Sequence, residues 1–161
     1  MPNTLDENTN SKSLSDLLTL LSADPDNIFP GGALEEEIAE LETELGTTLS
    51  LGYIEFLKKF GGGNLKYLQL YSIASEDENF YDFMEQVQNH SQNIQLIQQG
   101  ELLPFANDYE GNIFCFDLQH SRENEYIIVR WDHDYTAENE PLYIAHSFAE
   151  FIEKLEFTDK S

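Results

Sequence analysis

The stretch from Leu102 to Leu118, LLPFANDYEGNIFCFDL, constrains the fold more than any other part of the chain. Its two apolar runs, Leu102 to Ala106 and Ile113 to Leu118, flank Asn107-Asp108-Tyr109-Glu110-Gly111-Asn112, whose residues suit a turn and whose glycine can take positive φ. That pattern predicts a β-hairpin. Along the second run Phe114, Phe116 and Leu118 share one face, opposite Ile113, Cys115 and Asp117, because strand side chains alternate with a period of two. One face is wholly apolar and must lie on a core, which places this strand at the centre of a sheet.

Helical spacing accounts for most of the rest. Leu14, Leu17, Leu18 and Leu21 predict a short helix, capped by Ser13 or Ser15 and stopped by Asp24-Pro25-Asp26, with its leucine stripe packed on its own domain. After the breaker Phe29-Pro30-Gly31-Gly32, the residues Leu34, Ile38, Leu41 and Leu45 define an amphipathic helix over Ala33 to Leu45. Gly46 suits its left-handed C-terminus, and Glu35, Glu36 and Glu37 suit the positive end of its dipole. A second helix, capped by Ser50, buries Tyr53, Phe56, Leu57 and Phe60. Gly61-Gly62-Gly63 follows that helix instead of preceding one, so it aims no helix N-terminus at an anion and reads as a turn.

Asn64 to Tyr71 alternates as a half-buried strand, and Ser75 to Glu78 reads as the acidic start of a helix that turns Phe80, Phe83, Met84 and Val87 inward. His90 to Gln99 reads as a loop with a short extended piece. Gln119 to Asn124 is a polar turn into a strand, Tyr126 to Trp131, expected antiparallel to Ile113 to Leu118. An acidic loop, Asp132 to Pro141, leads to a last short strand, Leu142 to Ile144. Ser147-Phe148-Ala149-Glu150 forms a capping box for a final helix burying Phe148, Phe151, Ile152 and Leu155, after which Phe157 to Ser161 frays. The expected architecture is α+β: a central, mostly antiparallel sheet flanked by helices, in one domain over residues 13–157, behind a disordered tail at 1–12 with almost nothing to bury.

Thirty-one acidic residues against eight basic ones give a formal charge of −23. Nucleic acids and anionic membranes are polyanions, so both are disfavoured as partners and a basic protein is favoured. The single cysteine, Cys115, sits in a predicted buried strand, which excludes an internal disulfide and fits a reducing, cytoplasmic setting. No apolar run approaches the roughly 18 residues of a membrane span, and the N-terminal residues carry no secretory pattern.

Several of these elements together resemble the SUKH superfamily, typified by the fungal Smi/Knr cell-wall regulators. Ile38-x2-Leu41-Glu42-x2-Leu45-Gly46-x2-Leu49, then Tyr53-x2-Phe56-Leu57 and a glycine-rich turn, resembles its opening. Leu103-Pro104-Phe105-Ala106-Asn107-Asp108, Gly111-Asn112 and Phe116-Asp117-Leu118 resemble its strand-turn-strand signature, and Ser147-Phe148 to Phe151 its C-terminal helix, so the likeness spans about residues 30–155. Ser50 stands where the family usually has proline, and Gly61 where asparagine is usual. The resemblance implies a non-enzymatic bacterial immunity protein, which binds and blocks a cognate toxin domain of a polymorphic toxin system; a regulatory scaffold is the alternative. Such a protein needs no cofactor, and the acidity complements a basic toxin such as a nuclease.

Loops carry recognition more often than packed elements do, and two acidic stretches lie in segments without lysine or arginine. The partner-binding candidates are Glu76, Asp77 and Glu78 in the first, and Asp132, Asp134, Glu138 and Glu140 in the second. Tyr109, Glu110, Trp131 and Tyr135 supply neighbouring anchors. A hydrolase reading would draw on Asp132-His133-Asp134 with His146 as metal ligands, on Cys115 with His120 or His133 as a nucleophile, or on Asp108, Glu110 and Asp117 for acid-base work. No metal-ligand spacing motif is matched, a cysteine in an apolar strand is usually inert, and paired carboxylates mean little in so acidic a chain. No catalytic, cofactor or metal residue is therefore assigned.

Overall fold

The computed structural model describes residues 13–73, 75–132 and 140–159. Six strands, β1 (Gly63–Asn64), β2 (Leu68–Leu70), β3 (Leu102–Asp108), β4 (Ile113–Arg122), β5 (Glu125–Trp131) and β6 (Leu142–Ala145), lie side by side in chain order, every neighbouring pair antiparallel. Among the described residues six helices accompany them: α1 (Leu14–Ala23), α2 (Glu35–Leu45), α3 (Leu51–Phe60), α4 (Phe83–Ser91), α5 (Gln95–Gln98) and α6 (Phe148–Asp159). This is the expected α+β class. The tail at 1–12, expected to be disordered, lies outside the described residues.

The period-two reading of β4 decides the layering. Phe114 and Phe116 face the main core with Phe105 of β3, Ile128 of β5 and Ala145 of β6, beneath Tyr53, Phe56, Leu57, Phe148 and Phe151 from α3 and α6. Phe105 and Phe116 stack with centroids 4.2 Å apart, and Tyr53 lies 5.1 Å from Phe116. Each fully buried ring is worth about 2–3 kcal/mol of transfer free energy, so this aromatic layer dominates the energetics of the domain. The leucine stripe of α1 joins the same core, with Leu17, Leu18 and Leu21 all buried. Gly46 and Gly61 end α2 and α3 in the left-handed conformation at φ 73° and 75°, which a glycine adopts without a Cβ penalty.

Several local expectations are corrected. Asn64 to Tyr71 is not one strand: the Leu65 N–H donates to Leu68 O at 2.7 Å, closing a tight turn that splits it into β1 and β2. The helix expected from Ser75 begins only after Asp82, whose side chain accepts the Glu85 N–H at 3.0 Å and is the real cap. His90 to Gln99 holds the end of α4 and the short α5, not an extended piece. The polar stretch Gln119 to Asn124 remains in strand up to Arg122; the turn is only Glu123-Asn124, both at positive φ as a two-residue hairpin of type I′ requires. Asp117 pairs with Ile127 and Ser121 with Tyr126, so Leu118, Gln119 and His120 bulge out of the ladder. Ser50 precedes α3 but makes no cap bond there, and α6 continues to Asp159, past the expected fraying point at Phe157.

Candidate partner-binding cleft

The second face of the sheet is only partly covered. Ile113, Cys115, Leu102 and Val129 pack under Ile94 and Ile97, carried by the α4–α5 segment. That short segment lies over β3 and stops there, and it leaves Ile127 and Trp131 of β5 half-buried. Between α5 and β4–β5 opens a cleft of about 880 Å³, floored by Leu96, Leu102, Val129 and Trp131. Glu101, Asp117 and Glu140 stand on its rim, and among the described residues no lysine or arginine lines it. The β4 bulge sets His120 there, its Nδ1 2.8 Å from Asp117 Oδ2. Glu101 and Glu140 have no side-chain hydrogen bond or ion pair among the described residues. Beyond Gln119 and His120 a second hollow of about 860 Å³ continues past Ile127 and Tyr143.

The sequence candidates fall into two groupings instead of one patch. Trp131 and Glu140 line the cleft. Asp132 does not present a free carboxylate: Arg130 holds it through both Nε and Nη2, the latter at 2.9 Å, so the charge counted as locally unneutralised is paired. Glu76, Asp77 and Glu78 are exposed in the loop before α4, where Asp77 Oδ1 accepts the Asn79 N–H at 2.9 Å. That loop meets the β1–β2 turn, since Asn64 Nδ2 donates to Asn79 O at 2.9 Å. Tyr109, 58% exposed, is anchored to the same turn by its hydroxyl, which donates to Leu65 O at 3.0 Å; Glu110 stands exposed beside it. Asp134, Tyr135 and Glu138 lie outside the described residues, as does His133.

Glu101, Asp117 and Leu96 were not read as partner-binding residues from sequence. The available signal was the unbroken apolar run Tyr126 to Val129, too apolar for a strand with one wet face. It showed that both faces needed covering, but not that one would stay half open.

Of the groups considered for catalysis, Asp117 and His120 stand paired at the cleft, and the other described ones are held outside it. Cys115 is fully buried, and burial pushes its thiol far above the ordinary range. Asp108 spends its carboxylate on its own turn, accepting the N–H groups of Glu110 and Asn112, each at 2.9 Å. His146 pairs with Glu150, whose carboxyl burial pushes up, but which the hydrogen bonds from His146 and the charges of His146 and Lys154 hold below its usual range. Among the described residues no three His, Cys, Asp or Glu side chains converge as metal ligands.

The model of the SMI1/KNR4 family (SUKH-1) matches residues 32–154, most of the chain. The chain belongs to this family. The matched span runs from the breaker before α2 into α6 and so includes every strand of the sheet. The SPbeta prophage-derived uncharacterized protein YokK of Bacillus subtilis strain 168 is 25% identical to this chain over 149 residues, covering 77% of this chain and 75% of its own length. No helix among the described residues is long and apolar enough to cross a membrane.

Proposed function

We propose that this SUKH-family chain is a non-enzymatic immunity protein of the bacterial cytoplasm that binds and neutralises the cognate toxin domain of a polymorphic toxin system. The observation that carries the reading is the half-covered sheet face. An apolar floor with a tryptophan, ringed by carboxylates, is built for recognition: it offers buried area at its centre and charge at its edge, as protein interfaces do. A chain of charge −23 attracts a basic partner over long range, which speeds a capture that must precede damage. A prophage-derived relative fits an element of conflict between replicons.

The test is growth rescue. A toxin domain encoded beside this gene is expected; expressed alone it should arrest bacterial growth, and co-expression of this chain should restore growth through a stoichiometric complex. Arrest that persists at equal expression, with no complex on size exclusion, overturns the reading.

A further inference from the structure

We infer that the cleft between α5 and β4–β5 is an arginine-reading groove: the segment that enters it presents guanidinium groups along its length, to the plane of Trp131 beside Glu140 and to the carboxylate of Glu101 further along β4. This rests on the reading of the cleft as a partner surface and names the chemistry of what fills it.

Three features of the groove select the side chain. Its floor is apolar, formed by Leu96, Leu102, Val129 and Trp131, and an ammonium group is too strongly hydrated to be drawn onto such a surface. A guanidinium is weakly hydrated above and below its plane and can lie flat on an indole, which ranks first among aromatic partners for cations. Its rim carries Glu101, Asp117 and Glu140, and among the described residues no lysine or arginine lines it. The oxygens of Asp117 already accept the Gln119 N–H at 3.1 Å and His120 Nδ1 at 2.8 Å, so Glu101 and Glu140, without side-chain partners among the described residues, are the carboxylates with most capacity for the N–H donors of incoming arginines.

Among the described residues, the rest of the acidic surface lacks this combination. Glu35 and Glu36 of α2 are exposed, but Glu35 is paired to Lys58 at 3.3 Å and no tryptophan stands near, because Trp131 is the only one in the chain. The charge of the whole protein therefore steers a basic partner, while the groove decides where its arginine sits.

The single tryptophan makes the groove directly observable. In a fluorescence titration of the full chain with the synthetic peptide acetyl-Arg-Leu-Arg-Leu-Arg-amide, the Trp131 signal should change saturably. The equivalent lysine peptide should bind about five-fold or more weakly. The double substitution Glu101→Gln with Glu140→Gln should weaken the arginine peptide about ten-fold, whereas Glu36→Gln with Glu40→Gln on α2 should leave it within about two-fold. Melting temperatures of both double variants should match the parent, since all four carboxylates are exposed or half-exposed.

A peptide that binds without moving Trp131, equal binding of the lysine peptide, or indifference to the Glu101/Glu140 pair each overturns the arginine groove. These outcomes are separable from growth rescue. A failed rescue with an intact peptide response removes the immunity role and leaves the groove standing, and a successful rescue with a silent Trp131 does the opposite.

Discussion

Glu125 accepts the backbone N–H of Gly52 at 2.7 Å across 73 positions of sequence. Its other oxygen accepts the Phe148 N–H at 3.1 Å, so one carboxylate at the start of β5 satisfies the first turns of both α3 and α6. Helix N-termini carry unsatisfied donors and partial positive charge, and both ends here converge on a single acceptor. A Cβ on Gly52 would come within 3.1 Å of that oxygen and 3.3 Å of Phe148 Cβ, tighter than ordinary van der Waals contact, so a larger residue there must displace its neighbours slightly. Next to it, the buried Ser50 hydroxyl accepts the Tyr126 N–H at 2.9 Å, tying the same corner a second time.

Removing this acceptor should be costly. Glu125→Ala leaves two helix donors partly unsatisfied and should lower stability by about 2–3 kcal/mol, read as a lower urea midpoint at unchanged slope. Glu125→Gln keeps one acceptor oxygen and should lose about 1 kcal/mol. An alanine variant within about 0.5 kcal/mol of the parent would show that water replaces the carboxylate without loss.

That corner also marks the limit of what could be read in the sequence. Elements with a strong period were legible: the leucines of α1, the apolar stripes of α2 and α3, and the two faces of β4 follow from residue spacing alone. Local capping, the commonest use of a serine at such a position, points Ser50 to its own helix, yet its hydroxyl serves a strand 76 positions away. The helix start at Asp82 was placed at Ser75 because Ser75 and Asp77 are equally good cap residues; they make loop turns instead, Ser75 accepting the Asp77 N–H at 3.1 Å. The cleft was half legible. Trp131 and Glu140 stood out by residue type, whereas Glu101 enters only through the pairing of β3 with β4 and the reach of α5, which no local pattern encodes.

Tyr53 is fully buried among Phe56, Phe105, Phe116 and Phe148, and its hydroxyl has no hydrogen-bond partner among the described residues. Burial holds the phenol protonated by pushing its pKa well above the ordinary range, with Tyr71 adding to the shift. A buried hydroxyl without a partner costs free energy that a phenyl ring avoids. Tyr53→Phe should therefore be neutral or stabilising by about 1 kcal/mol in urea unfolding. A loss of more than about 1 kcal/mol would mean that the hydroxyl is satisfied in solution.

His90 gives the fold a pH dependence of known sign. Burial lowers its pKa below the ordinary 6.5, and its Nε2 lies 3.1 Å from the Tyr71 hydroxyl, which burial keeps protonated and able to donate. Between 6.5 and the lower folded value the unfolded chain takes up a proton that the folded chain refuses. The contribution is thus complete above 6.5 and is lost as pH falls through the folded value. Compared with the parent, His90→Gln should show a flatter loss of stability as pH falls below 6.5, measured by urea unfolding at several pH values. Parallel curves for the two proteins would sink the assignment.

Cys115 reports on the other side of the sheet, where the same burial that raises its thiol pKa also hides it beneath Ile94 and Ile97. A thiol there reacts only when its cover lifts, and the cover is short: α5 spans Gln95–Gln98 and belongs to the smaller of the two core clusters. Local opening should therefore precede global unfolding. Labelling with a disulfide reagent should be slow in the native protein. Ile97→Ala, which removes about 2 kcal/mol of packing from that cover, should speed it about 30-fold. Leu57→Ala, on the opposite core, should lower global stability by a comparable or larger amount yet change native labelling by less than about three-fold. Equal acceleration by the two substitutions would mean that Cys115 is reached only by complete unfolding, and that the half-covered face is as rigid as the aromatic one.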